Sequence, residues 1–164
     1  MQPGAFSDAR GIFKETYVRS KYSELGITDN FVQDSASVSR QYVVRGLHAD
    51  LAMSKLVQVL QGEVYDVIVD ARNGSPTFGR WEAFLLNAEN HSQLYIPAGC
   101  LHGFQVLSES AVFCYKQSAE YDPSREVSVL WKDPTLRIAW PAAAQAILSA
   151  KDAGNQLFAD AFSA

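Results

Sequence analysis

Leu56-Val57-Gln58-Val59-Leu60, a turn at Gly62, and then Val64-Tyr65-Asp66-Val67-Ile68-Val69-Asp70 make up the stretch whose reading decides the fold. Both runs are rich in β-branched residues and bounded by turn formers, which is the pattern of short strands rather than of helix. Downstream, Glu82-Ala83-Phe84-Leu85-Leu86, Gln93-Leu94-Tyr95-Ile96, Gly103-Phe104-Gln105-Val106-Leu107 and Ala111-Val112-Phe113-Cys114-Tyr115 repeat it at close intervals. Asn73-Gly74-Ser75-Pro76, Asn87-Ala88-Glu89-Asn90, Pro97-Ala98-Gly99 and Ser108-Glu109-Ser110 punctuate them, and Ser75-Pro76-Thr77 reads as a tight turn. Strand signal runs from residue 31 to about 131 with no alternating helices, which predicts an all-β sandwich or barrel and argues against a βαβ fold. Helix is expected only on the flanks, at 18–25 and 152–162. Pro134 and Pro141 bracket 135–140, read as a last strand or extended segment.

The chain has 164 residues, the length of one ordinary domain, and neither repeat nor linker divides 1–164. Hydrophobic residues at 48% against 20% charged set it apart from disordered tails. No apolar run nears the roughly 18 residues of a membrane-spanning helix, so no membrane role is expected. A net charge of −4 provides no basic field for nucleic acid. An anionic ligand would therefore need a local Arg and Lys cluster. Cys100 and Cys114 form no CxxC pair and are too few for a disulfide scaffold. The opening Met1-Gln2-Pro3-Gly4-Ala5 lacks a secretory pattern, so the expected location is cytoplasmic.

Histidine chemistry has three possible homes, His48, His91 and His102. His91 lies in the polar turn Glu89-Asn90-His91-Ser92 and reads as a solvated loop residue. His48 closes the run Tyr42-Val43-Val44-Arg45-Gly46-Leu47-His48, and His102 follows the 97–99 turn. The spacing Pro97, Gly99, His102 resembles the second motif of the cupin jelly rolls. Metal-binding cupins pair it with His-x-His, where this chain has His48-Ala49-Asp50.

With Asp8-Ala9-Arg10-Gly11, Phe31-Val32-Gln33-Asp34, Arg45-Gly46-Leu47-His48, Lys55-Leu56-Val57, Asp66-Val67, Ser75-Pro76-Thr77-Phe78-Gly79, Ile96-Pro97-Ala98-Gly99, His102-Gly103-Phe104, Tyr115-Lys116 and Leu148-Ser149-Ala150-Lys151-Asp152 in order, nearly the whole chain resembles the dTDP-4-dehydrorhamnose 3,5-epimerase family. These are cupin-fold sugar-nucleotide epimerases that use no metal. The resemblance implies a single cupin jelly roll, a homodimer, no cofactor, and a nucleotide-diphospho-4-keto sugar as substrate. The default sugar is dTDP-4-keto-6-deoxyglucose.

The chemistry can be argued without the family. Hydrogens flanking a ketone are acidic because the carbanion spreads onto oxygen as an enolate. Inverting such a carbon takes a base on one face and an acid on the other. Histidine, with an ordinary pKa near 6.5, suits the first task, and a protonated tyrosine suits the second. A lysine ammonium stabilises the developing oxyanion.

Carried over by position, the resemblance makes His48 the proton acceptor, Tyr115 the opposing donor, Asp152 the carboxylate that orients the histidine, and Lys55 the partner of the enolate oxygen. His102 would line the pocket, and Arg45 would meet the diphosphate through its guanidinium fork. Gln33, Tyr121, Glu126 and Lys151 match further substrate contacts. Arg10, Phe13 and Glu15 match residues that family dimers lend to the neighbouring subunit. Taken singly, the residues have plainer readings. Tyr115 could be a core aromatic, Arg45 a surface ion pair, Lys55 a solvated strand start, and Asp152 the N-cap of a terminal helix. Trp131 and Trp140 read as packing.

Two departures stand out. Only seven residues precede Asp8, so the strand that relatives carry before Asp-x-Arg-Gly is expected to be missing, leaving a less protected edge. The short His48-to-Lys55 connection, with Ser35 where dTDP enzymes generally have Asn, resembles relatives that act on other nucleotide sugars, including GDP-linked heptoses. The alternatives are a metal-dependent cupin using His48, His102 and a carboxylate such as Asp50, or a non-catalytic sugar-nucleotide binder.

Overall fold

The computed structural model describes residues 1–162. Its strands form antiparallel sheets. A four-stranded sheet runs in the order β3 (Gln33–Arg40), β10 (Ser110–Gln117), β5 (Lys55–Gln61), β8 (Gln93–Ile96). A five-stranded sheet runs β11 (Glu126–Ser128), β4 (Val44–Asp50), β9 (Cys100–Val106), β6 (Glu63–Asp70), β7 (Trp81–Asn87). The hairpin β1 (Gly4–Asp8) and β2 (Gly11–Glu15) stands apart. Each run quoted from 56 to 115 is a strand, within a few residues at its ends.

Strand alternation divides the apolar residues between two cores. Val57, Val59, Ile96 and Phe113 from the four-stranded sheet meet Val64, Leu86, Phe104 and Val106 from the five-stranded one, filling the space between the sheets. Phe104 and Phe113 stack across it with centroids 4.3 Å apart. The other face of the five-stranded sheet presents Leu47, Ala49, Val67, Val69 and Leu101. It is covered by Val129, Trp131, Leu136, Ile138, Trp140 and Phe158 from the chain's last third. Burying such side chains contributes about 1.5–3 kcal/mol each.

The flanks depart from expectation. The first helix, α1 (Arg19–Glu24), lies where 18–25 predicted it. Residues 152–162 are not one helix but part of two, α2 (Ala150–Ala153) and α3 (Phe158–Ala161). Gly154 ends the first, and Gln156 is drawn off to accept from the Leu130 amide. No strand forms over 135–140 either. The Asp133 carboxylate accepts the Thr135 and Leu136 amides, curling the chain so that Leu136, Ile138 and Trp140 all reach the same sheet face. One strand does lie ahead of Arg10, in a hairpin that joins neither larger sheet. Gly4–Asp8 pairs residue for residue with Gly11–Glu15, and Asp8-Ala9-Arg10-Gly11 is the turn between them. No helix among the described residues is long and apolar enough to cross a membrane.

Candidate active site

At one end of the sandwich the inward-facing residues change from apolar to polar. His48 on β4 pairs in register with His102 on β9, and such partners project from the same face of a sheet. His102 points between the sheets, because its ring meets those of Phe113 and Tyr115 on the opposite sheet, with centroids 5.8 and 6.3 Å away. His48 therefore faces the same interior from one wall, and Tyr115 on β10 faces it from the other. Lys55 opens β5, two residues before the core residue Val57, so it points inward on the Tyr115 side.

Gly46 makes this arrangement possible. Its φ is +123°, and a Cβ there would lie 2.6 Å from Gly103 Cα and 2.7 Å from the His102 carbonyl oxygen. Only glycine lets β4 run this close to β9 in that conformation, which sets His48 beside His102.

Each histidine is held by a carboxylate. His48 Nε2 lies 2.6 Å from Asp152 Oδ1, with the Asp152 side chain only 7% exposed. Burial would raise the Asp152 pKa, but bonds from His48, Ser149 and the Gly46 amide outweigh it and hold the carboxyl below its ordinary value. Asp152 is not the N-cap of a terminal helix. Ser149 is, its hydroxyl accepting the Asp152 amide 3.0 Å away, which frees the Asp152 carboxylate to turn to His48. A carboxylate can only accept, so the hydrogen sits on His48 Nε2, and Nδ1 keeps the lone pair a base needs.

The second dyad escaped the sequence reading. His102 Nε2 is 2.8 Å from Asp66 Oδ2 on β6, and Asp66 has no solvent exposure. Burial pushes the Asp66 pKa up, while the charges of His102 and Lys55 pull it down. The signal was present in the alternation. Val64 and Asp66 share a strand face, so a core Val64 requires an interior Asp66, and a buried carboxylate requires a partner.

Burial lowers the Lys55 pKa below the usual lysine range, opposed by the charges of Glu126, Asp50 and Asp66. Lys55 makes no ion pair among the described residues, so it is not a solvated strand start and its amine is uncommitted. Burial drives the Tyr115 phenol well above its ordinary pKa, so it remains a proton donor at neutral pH; the nearby Ser37 hydroxyl and Arg45 charge oppose the shift. Arg45 makes no surface ion pair among the described residues. Its Nε donates to Ser39 Oγ at 3.0 Å, leaving the rest of the guanidinium open to an anion.

Other expected contacts gather at the rim. Gln33 donates to Ser35 and accepts the Tyr121 amide, which ties β3 to the loop after β10, while the Tyr121 side chain stays largely exposed. Glu126 accepts from Lys151 and Ser128. Burial would raise its carboxyl's pKa, but these bonds and the nearby His48 and Lys151 side chains outweigh it and hold it below the ordinary value. Arg10, Phe13 and Glu15 do not reach this chain's own site. Arg10 pairs with Asp8, Glu15 pairs with Lys21, and Phe13 stands 69% exposed on the hairpin. The triad required by the metal-using alternative is not assembled. Asp50 is taken by Arg125 and the Ala52 amide, and no cluster of three or more His, Cys, Asp or Glu suited to a metal exists among the described residues.

Base, orienting carboxylate, opposing phenol and buried amine can together move a proton across a flat, oxygen-activated ring. Comparisons with known proteins agree with this chemistry. The family model described as dTDP-4-dehydrorhamnose 3,5-epimerase matches residues 1–160. The protein of that name from Pseudomonas aeruginosa is 47% identical over 163 residues, covering 98% of this chain and 90% of the relative. Its Salmonella typhimurium namesake is 48% identical over 161 residues, covering 96% and 88%. A crystal structure of a dTDP-6-deoxy-D-glucose-3,5-epimerase from Legionella pneumophila, in complex with dTDP-4-keto-L-rhamnose, superposes with a TM-score of 0.93 at 47% identity, covering 98% of this chain and 89% of that one. A 3'-monoepimerase from Streptomyces bikiniensis in complex with dTDP-quinovose gives 0.91 at 34% identity, covering 97% and 82%.

Proposed function

The chain belongs to the dTDP-4-dehydrorhamnose 3,5-epimerase family, and from that premise we propose that it inverts C3 and C5 of dTDP-4-keto-6-deoxyglucose by the residues described above. It is an isomerase of the cupin jelly-roll class acting on a dTDP-4-keto sugar. Inversion at both carbons is favoured by the names of the relatives at 47–48% identity, against 34% for the monoepimerase. The same names favour thymidine over the GDP-linked sugars suggested by Ser35 and the short connection before Lys55.

His48 Nδ1 removes the hydrogen beside the C4 ketone, and Asp152 steadies the imidazolium that results. The electron pair moves to the C4 oxygen, where the Lys55 ammonium stabilises it in a dry site. Tyr115 returns a proton to the opposite face, after which the ketone re-forms. His102, oriented by Asp66, lines the sugar pocket. Arg45 meets the diphosphate, and Gln33, Tyr121, Glu126 and Lys151 contact the rest of the substrate. No net oxidation or reduction occurs and only bonds to hydrogen are broken and made, so the chemistry asks for no cofactor.

The observation that carries this reading is the pair of opposed walls, with a carboxylate-backed imidazole on one sheet and a buried phenol on the other. The exposed apolar hairpin supports a homodimer in which Arg10, Phe13 and Glu15 complete the neighbouring pocket. The free thiols of Cys100 and Cys114 accord with a cytoplasmic setting.

In deuterated water, dTDP-4-keto-6-deoxyglucose should gain enzyme-dependent deuterium at C3 and C5. His48→Ala should slow that exchange by about 10²–10⁴-fold. A protein that binds the sugar nucleotide without any exchange would be a binder and not an epimerase.

A further inference from the structure

Each inversion consumes the phenolic hydrogen of Tyr115, and two inversions on one sugar draw on it twice. This rests on the reading just given. The phenolate left behind is disfavoured, since burial opposes charge at that oxygen. The acid must therefore be recharged between the two events.

The inner face of β3 provides a means. Its inward residues are Ser35, Ser37 and Ser39, alternating with exposed Asp34, Ala36, Val38 and Arg40. Ser35 is opposite Tyr115 in the ladder and Ser37 is opposite Phe113, so Ser37 is the diagonal neighbour whose side chain lies beside the phenol. Ser35 Oγ is already used, donating to Gln117 at 2.9 Å, and Ser39 Oγ accepts from Arg45. Ser37 Oγ is buried without a hydrogen bond of ordinary geometry, its loose contact being with the Tyr115 phenol. A buried hydroxyl so loosely bonded opposes folding, so its presence beside a reacting group calls for a reason.

We propose that Ser37 is a positioning residue for Tyr115, one whose hydroxyl meets the phenolate once it has formed and relays to it a replacement proton from water. The exchange balances. The Tyr115 O–H bond breaks as the sugar C–H bond forms. The Ser37 O–H then passes its proton to the phenolate while water supplies one to Ser37 Oγ. The proton that His48 took leaves to solvent, so the enzyme returns to its starting state.

Wild type, Ser37→Ala and Ser37→Thr are compared on dTDP-4-keto-6-deoxyglucose, with the melting midpoint measured for each. Ser37→Ala should melt close to wild type, since it deletes only a loosely bonded group. With enzyme in excess, its first inversion should stay within about threefold of wild type, because Tyr115 begins protonated. Steady-state double inversion should fall about 10–100-fold, with the singly inverted sugar accumulating. Ser37→Thr, which keeps the hydroxyl, should recover most of the loss. The proposal is overturned if the alanine variant loses first inversion and steady-state rate together, if it loses neither, or if a folded threonine variant recovers nothing. Absence of deuterium uptake by the wild type would instead sink the epimerase reading itself.

Discussion

Lys55 extends its amine into a buried position where desolvation lowers its pKa, with Glu126, Asp50 and Asp66 opposing the shift. Those carboxylates oppose loss of its proton, and the dryness of the position strengthens the effect of an ammonium at a developing oxyanion. Lys55→Met should lower kcat by about 10²–10³-fold with a smaller change in KM, as expected for an interaction made mainly in the transition state. The alkaline limb of the wild-type rate profile should fall below the ordinary lysine value near 10.4, since the depressed pKa releases the proton earlier. A methionine variant with unchanged kcat would remove Lys55 from the chemistry. At this scale the site was legible where motifs named residues and illegible where a residue's task depended on its neighbours. Asp152 could be read either as a cap or as a histidine's partner until Ser149 was seen to take the cap. Asp66 was quoted within a strand and given no role, because its partner His102 lies 36 residues away.

Among the elements, β5 to β10 were readable because their apolar residues alternate and their turns carry glycine, proline and asparagine. β3 was harder, since Gln33-Asp34-Ser35-Ala36-Ser37-Val38-Ser39-Arg40 has the alternation of a strand without its hydrophobicity. Its inward side faces a polar cavity, and there a strand has no need of apolar residues. The turn after β6 is a firmer case. Asp70 accepts from Arg72, Ser75 and Thr77, which fixes the tight turn expected at 75–77. The Arg72 guanidinium holds the Asp70 carboxyl well below the usual carboxylate range, with burial opposing and the two hydroxyls adding to the effect. A depressed folded pKa stabilises fully above the unfolded value, near 3.9, and that contribution is lost as pH falls towards the folded pKa. Asp70→Asn should therefore be less stable than wild type in urea at pH 7, and the gap should narrow as pH drops from about 5 to about 2. A gap independent of pH would show that the carboxylate's charge does not hold the turn.

Across the whole molecule, the chain's last third covers one face of the five-stranded sheet and carries Asp152 to the site, so packing and catalysis share one segment. The hairpin does the reverse, leaving Phe6, Ile12 and Phe13 exposed and Arg10 paired with Asp8 on the hairpin itself. If it completes a neighbour's pocket, two inactive proteins should rescue each other. Unfolding and refolding His48→Ala together with Arg10→Ala should restore about one quarter of wild-type activity, because half the random dimers are mixed and each has one intact site. Activity no higher than that of either variant alone would place Arg10 outside the neighbouring site.

Strand identity and the all-β class were already determined by the sequence, because alternation and turn chemistry are local properties, while the candidate base, acid and amine were named by the resemblance of its ordered motifs to a family. Which carboxylate His48 and His102 each hold, which nitrogen is left free, how the last third curls over the sheet and which serine lies beside the phenol were decided only by the tertiary structure. Those facts depend on distances between residues far apart in the chain, and the strand register and the approach of two sheets set them.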